Sequence, residues 1–450
     1  MTLTRSLPSN TFSKTDLQLS ALRAVAIIMP ITLVFTSLLG GADSDFQTAS
    51  FATLFCGLAI SALTLSSFRA MNKLVLMAAI CIAIWGVSGR FGDWYQARTE
   101  VFALSAGGVV FVIGRVFGLR SSLLEWVWQI MIWMMLIFCL VAFASYLAII
   151  MDRSSIGAPL QLKYTFISAN TAAALFSLSL LLGIGHAFYV LRHRQRSDIS
   201  RSHRINAVIR KNLPSILLVI LAFTCLILTA SITGILFGVA AVLLFVSAEL
   251  AQHIKHRRRR KRLRHRLAIY IPLILAVVFL GFALSVDLLL PHSSTSEGDT
   301  FSRLDLLEAY WAIWQNEPLF GHGLGSFNHL NNVTATLDSA ALIAGSQAAP
   351  NLVLQWLLQQ GAVGVALMFT LLAYIHLSII RALRGLRFHS GTFMRLALCA
   401  SCLVFAHGMV DYSLEIPSLM WTYAFILGIA SGRASMVFAD GNGRATHNGK

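Results

Sequence analysis

The only long polar stretch of the chain lies between residues 291 and 350, and much of its chemically capable side-chain set gathers there. Arg303 is the sole positive charge of this stretch, set against seven acidic residues between Asp287 and Asp338. A lone arginine in such company reads equally as a salt-bridge partner or as an anion ligand, because a guanidinium grips carboxylate and phosphate oxygens bidentately. Gly321-His322-Gly323-Leu324-Gly325-Ser326-Phe327 follows, and three glycines at spacing two permit close backbone approach and unusual φ/ψ values. It is no phosphate-binding P-loop, since no Gly-Lys-Ser/Thr follows. His322 and His329 flank the turn; a loop histidine is more often structural than catalytic. Asn351 begins the next apolar segment, and Asp411 and Glu415 stand beside Pro417 near the mouth of the last two. Ionisable groups at membrane depth are costly and usually face a bundle interior or water, and an arginine partner is one expectation for Asp411.

The elements that must position these residues are set by hydropathy. The chain has 450 residues, is 57% hydrophobic and only 12% charged, with a mean hydropathy of +0.72. A soluble domain carries about a quarter charged residues. Apolar runs long enough to cross a hydrocarbon core recur throughout, and nothing alternates as a membrane barrel strand does. The expected fold class is all-α: a polytopic membrane protein of about twelve transmembrane helices with one large periplasmic loop containing short helices. Spans are expected near residues 21–39, 48–66, 73–89, 101–117, 124–150, 169–191, 213–230, 235–252, 267–290, 352–380, 395–412 and 417–432. The segments so defined are 1–160 (helices one to five), 161–290 (helices six to nine with basic loops), the loop 291–350, 351–433 (helices ten to twelve) and a disordered polar tail, 434–450.

Charge orients this stack. With the N-terminus cytoplasmic, 30 of the 35 Lys and Arg residues fall on the cytoplasmic side, including seven in Arg192–Lys211 and nine in Lys255–Arg266. Only Arg90, Arg98, Arg153, Lys163 and Arg303 fall opposite. The positive-inside rule then puts both termini in the cytoplasm and the 291–350 loop outside it. Confined to short loops, the net charge of +16 argues against nucleic acid as a partner and for contact with anionic headgroups. All six cysteines lie inside apolar runs, so Cys399-x-x-Cys402 reads as core filling rather than as a disulfide or a zinc site. The first apolar run lacks a small-residue cleavage site and reads as a retained span. Within the loop, Ser302 with Asp305 suits a helix cap. Leu304, Leu307, Trp311 and Trp314 make an amphipathic stripe, ended by Pro318.

In its ordered motifs the chain resembles the bacterial O-antigen ligases and the related Wzy-type polysaccharide polymerases. The resemblance is carried by Arg303, Tyr310-Trp311-Ala312 and Asn316-Glu317-Pro318-Leu319-Phe320 running into the glycine turn. It continues in Asn351-Leu352-Val353-Leu354-Gln355, in Gly361 and Gly364, and in His407-Gly408-Met409-Val410-Asp411-Tyr412 through Ile416-Pro417. It covers about 301–432, with a weaker match over 164–250. It implies a glycosyltransferase of the bacterial inner membrane, facing the periplasm and serving lipopolysaccharide or exopolysaccharide biosynthesis. Its donor would be a glycan on undecaprenyl diphosphate. Its acceptor would be lipid A-core for a ligase or another lipid-linked glycan for a polymerase. Polysaccharide assembly proteins and membrane lipids are the other partners implied, and the resemblance implies no metal, nucleotide or other cofactor.

Three positions depart from the family's pattern. Pro350 stands where the family has a histidine before Asn351. Ser231-Ile232-Thr233-Gly234 stands for Ser-Arg-Thr-Gly, and Ser168-Ala169-Asn170 for Asn-Arg-Asn. The base would then be His322, His329 or Asp411, with Arg303, Arg98, Arg153, Lys163 and Asn351 holding the diphosphate or glycan. The other readings are a non-catalytic paralogue or scaffold in an envelope polysaccharide complex, and a lipid or sugar transporter. A transporter would carry repeated halves, and no repeat is seen.

Overall fold

The structure, a computed structural model, describes residues 14–42, 44–64, 94–151, 161–193, 201–256, 303–334, 348–385 and 391–447. The spans expected at 73–89 and 267–290, the basic run 257–266, Arg153, Ser302, and loop residues 291–302 and 335–347 lie outside the described residues. Among those described, the helices in chain order are α1 (Lys14–Leu38), α2 (Asp45–Thr64), α3 (Trp94–Gly118), α4 (Ser121–Met151), α5 (Ala169–His193), α6 (Arg201–Leu228) and α7 (Ile232–His256). Then come two short helices of the polar loop, α8 (Arg303–Trp314) and α9 (Phe327–Thr334). The series ends with α10 (Leu352–Gly385), α11 (Thr392–Gly408), a 3-10 turn (Ser413–Glu415) and α12 (Pro417–His447).

The chain is a polytopic helical membrane protein, and its secondary structure among the described residues is helical throughout. Among the described residues, six helices are long and apolar enough to cross a bilayer, within α1, α3, α4, α5, α7 and α10. Asn212–Leu228 and Thr392–Gly408 are shorter apolar helices. Every expected span that falls on described residues is helical over most of its length, although α2, α6, α11 and α12 are not among those six. One boundary differs. The polar segment 434–447, expected as a disordered tail, continues α12 as helix, with Ala434 buried and Val437 packed on the core. A helix already nucleated by packing extends at little cost.

The bundle closes through one unusually tight contact. In α3, Gly114 and Gly118 face Gly428 and Gly432 of α12. A Cβ on Gly118 would lie 2.1 Å from the Ile429 carbonyl oxygen, and one on Gly432 would lie 2.1 Å from that of Arg115. Glycines four apart on both helices thus let the backbones touch, as membrane helices do when lipid offers no hydrophobic gain for association. Arg115 crosses the same seam and donates to Ser431 Oγ (2.6 Å) and Ser435 Oγ (2.9 Å). Between α7 and α11, Arg395 Nε donates to Glu249 Oε1 at 2.7 Å, with both side chains buried. Breaking a buried pair from one side strands a charge and costs about 3–5 kcal/mol. Arg395→Leu is therefore expected to melt well below the parent, with Arg395→Leu/Glu249→Leu recovering much of the loss, as read by thermal melting in detergent.

The loop helices fold back onto α10. Tyr310, Ile313, Phe327, Leu330, Ala349, Leu354 and Leu358 form a small second core, with Leu306, Leu307 and Trp314 packed against it. Tyr310 OH donates to Asn331 Oδ1 at 3.0 Å. The buried face of α8 is therefore turned from the expected stripe: Trp311 is 47% exposed, whereas Tyr310 is fully buried. Its partner is α9 of the same loop, which hydropathy along α8 alone does not reveal.

Candidate functional site

Hydrogen bonds gather the candidate residues at one end of the bundle. Leu162 N–H donates to the Leu228 carbonyl, Thr165 Oγ1 to that of Ser37, and Ser418 N–H to that of Gly41. At this end the starts of α5 and α7 meet the end of α11 and the 3-10 turn, and five polar side chains form a chain. Ser231 caps α7 by accepting the Gly234 N–H on its Oγ (3.1 Å). The same hydroxyl donates to Asn170 Oδ1 (2.7 Å), and Asn170 Nδ2 points to Asp411 Oδ1 at 3.5 Å. Ser413 Oγ donates to Asp411 Oδ2 and accepts from His407 Nδ1 at 3.2 Å. These roles put the His407 proton on Nδ1. The buried Nε2 then carries a lone pair and has no hydrogen-bond partner. Asp411 and His407 are both buried, and among the described residues no hydrogen bond or ion pair joins Asp411 to an arginine.

The three departures from the family pattern border this network. Ala169 precedes Asn170 at the start of α5, and the half-exposed Ile232 follows Ser231. Pro350 precedes Asn351, whose Oδ1 accepts the Leu354 N–H (3.0 Å) while its Nδ2 donates to the Met409 carbonyl (2.9 Å), two residues before Asp411. Asn351 is thus a helix cap and a strut between α10 and α11. Of the cationic candidates, Lys163 is exposed in the 161–168 segment. Arg98 donates to Asp45 Oδ2 at 2.5 Å. Arg303 is the first residue of α8, and its side chain lies outside the described part.

The glycine turn has a structural task. α10 is broken at Gly361, whose φ of 63° and ψ of −175° are not helical. In an unbroken helix Ala362 N–H would bond to Leu358 O and Val363 N–H to Gln359 O. Instead Ala362 N–H donates to Pro318 O (2.9 Å) and Val363 N–H to Leu319 O (3.0 Å), while His322 N–H and Gly323 N–H donate to the freed Leu358 and Gln359 carbonyls (2.8 and 2.9 Å). Two helix hydrogen bonds are exchanged for four to the turn, which satisfies the backbone groups that an interrupted membrane helix exposes. The His322 side chain belongs to this clamp, with Nε2 3.0 Å from Ile313 O. His329 is exposed on α9. Among the described residues, no hydrogen bond joins either histidine to the Asp411 network.

Sequence reasoning missed His407 as a site residue and missed Glu100. Glu100, near the start of α3, accepts Gly325 N–H (2.9 Å) and Gln359 Nε2 (2.7 Å), tying turn and broken helix together. An acid beside an apolar run was the available signal. Across from it Glu415 Oε1 accepts Trp356 Nε1–H at 2.9 Å. The Glu415 carboxyl is pushed up to about 8, first by burial and then by Glu100. A raised carboxyl pKa means the folded chain holds a proton that the unfolded chain has released, so stability falls as pH rises from about 4.5 to about 8. Glu415→Gln is expected to flatten the melting temperature across that window and to out-melt the parent at higher pH.

Among the described residues no cluster of His, Cys, Asp and Glu is set to hold a metal ion. A comparison with curated proteins gives no match. Residues 217–369 match the family model described as O-Antigen ligase. That range takes in the Ser231 cap, Arg303, the glycine turn, Asn351 and the break at Gly361. Over this segment the chain is similar to the O-antigen ligase family.

Proposed function

We propose that the protein is a membrane glycosyltransferase that ligates or polymerises glycans carried on undecaprenyl diphosphate, working at the periplasmic face of the bacterial inner membrane. The observation that carries this reading is the meeting of Asn170, Ser231 and Asp411 from three separate helix ends, at the end of the bundle that bears the family's loop. In the proposed step an acceptor hydroxyl attacks the anomeric carbon of the donor. The bond from that carbon to the diphosphate oxygen breaks, and the hydroxyl proton passes to the Asp411 carboxylate, held by Ser413 and Asn170. The lipid diphosphate leaves with both bonding electrons, and Arg303, with Arg98 and Lys163, offsets its developing charge. Polysaccharide assembly proteins and membrane lipids are the proposed surroundings.

A second reading rests on Ala169, Ile232 and Pro350, where the resemblance would place two arginines and a histidine. On that reading the chain binds lipid-linked glycan without turning it over. Deleting the gene tests both. On the enzymatic reading, deletion shortens or abolishes a surface polysaccharide, and Arg303→Ala at normal protein level does the same. An unchanged glycan profile with Arg303→Ala removes that arginine from the mechanism.

A further inference from the structure

A cavity of about 340 Å³ lies between α3, α10 and α12, on the opposite side of the 3-10 turn's chemistry from the Asp411 network: Ser413 joins the network, whereas Leu414 and Glu415 line the cavity. That volume falls within the range of roughly 300–1,000 Å³ usual for small-molecule sites. Its walls are mainly apolar, with Phe111, Leu367, Met368, Leu371, Phe405 and Leu427 among them. Its polar lining includes Glu100, Gln359, Gln360 and Glu415. Glu100 is bonded to Gly325 N–H, so the polar end sits against the glycine turn.

Two features define what this end can hold. First, among the described residues no lysine, arginine or histidine lines the cavity, and two carboxyls do. An anionic phosphate would meet carboxyl oxygens with no cation to offset it. Second, Gln360 is 5% exposed and its Oε1 is buried without a hydrogen-bond partner. An acceptor left unsatisfied in such a place costs about 1–3 kcal/mol, and Gln360 lines the cavity, so a turn of its amide that lets a ligand donate to Oε1 is favoured. A cationic head is less suited, because both Glu100 oxygens already accept protein donors and Glu415 holds its proton up to about pH 8.

We infer that this cavity binds the alkyl chain and uncharged, hydroxyl-bearing head of a single-chain amphiphile, with a head-group hydroxyl donating to Gln360 Oε1. The chain runs among Phe111, Met368 and Leu371, and the head lies beneath the glycine turn. The site does not depend on the transfer reaction proposed above, since occupancy can be read without turnover.

The test uses the full-length protein in nanodiscs and a dodecyl β-glucoside with a diazirine in its chain. Illumination is expected to label wall residues of α3, α10 or α12. Unlabelled dodecyl β-glucoside should compete about tenfold better than dodecyl phosphate or dodecyltrimethylammonium, as a hydrogen-bonding site rejects heads that leave its polar groups unpaired. Met368→Trp, which fills the cavity, should abolish wall labelling. Gln360→Leu, close in size, should weaken the glucoside severalfold while leaving a dodecane diazirine probe unaffected. Equal or better competition by the phosphate or the ammonium overturns the inference, as does wall labelling that persists in Met368→Trp or a glucoside indifferent to Gln360→Leu. Loss of glycan transfer with these outcomes intact counts against the transferase reading alone.

Discussion

Gly361→Ala is expected to destabilise the protein by about 3 kcal/mol or more, and Gly321→Ala by a similar amount. At Gly361 the backbone lies in a region open essentially to glycine alone, φ 63° with ψ −175°. An added Cβ would stand 2.3 Å from Leu319 O and 2.5 Å from Gly321 N. At Gly321, with φ +68°, a Cβ would stand 2.5 Å from Gly361 N. In both positions the obstacle is backbone, which cannot swing aside as a long side chain can. Relief requires the turn to leave the break, and that forfeits four hydrogen bonds at once. Gly57→Ala is the control, since nothing lies within 4 Å of a Cβ there; it should be neutral or slightly stabilising. The readout is melting temperature in detergent, together with protease access to residues 315–326. An alanine at 361 that melts with the parent would show that the break in α10 is not held by the turn.

Asp411→Asn is expected to reduce glycan transfer by about 10²–10⁴-fold, the usual share of a positioned base. The amide keeps the outline of the side chain and removes the proton acceptor, while its nitrogen faces one of the donors Ser413 and Asn170, so a modest fall in melting temperature accompanies the loss. Asn170→Ala acts differently. It takes away one orienting bond and leaves the carboxylate, so part of the activity should remain. His407→Gln is a third point in the series, because His407 reaches Asp411 through Ser413. If Asp411→Asn keeps transfer near the parent's rate while Asn170→Ala abolishes it, the base is another group.

Much of the architecture was legible because a bilayer imposes one simple demand, a run of about 20 apolar residues for each span. That demand located α1, α4, α5, α7 and α10 to within a few residues. It also placed a span at the glycine-rich residues 101–117. The same glycines turn out to seat α3 against α12 through Gly114, Gly118, Gly428 and Gly432. Hydropathy also ran straight through Gly361, because a break whose hydrogen bonds are satisfied from Pro318–Gly323 needs no polar residue of its own. The expected stripe on α8 holds for Leu307 and Trp314, which pack on the second core, but not for Trp311, which is exposed while Tyr310 takes the buried place against α9 and α10.

The candidate site was legible in pieces. Asp411 stood out as an acid beside the last span. Ala169 and Ile232 stood out only against the family pattern. Their convergence with Asn351 around one polar network is a property of helix ends far apart in sequence, which periodicity cannot report. His322 drew attention through its glycine neighbours, and those glycines serve the clamp on α10.

The central claim is that this chain moves a glycan from a lipid diphosphate to an acceptor hydroxyl, with Asp411 taking the proton. The direct measurement incubates the purified full-length protein in vesicles with an undecaprenyl diphosphate-linked glycan and either lipid A-core or a second lipid-linked glycan. Mass spectrometry then follows the new glycosidic product and the released undecaprenyl diphosphate. The expected result is stoichiometric appearance of both with the parent protein and loss of both with Asp411→Asn. Tight donor binding with no product from either acceptor would contradict the claim and favour the non-catalytic reading.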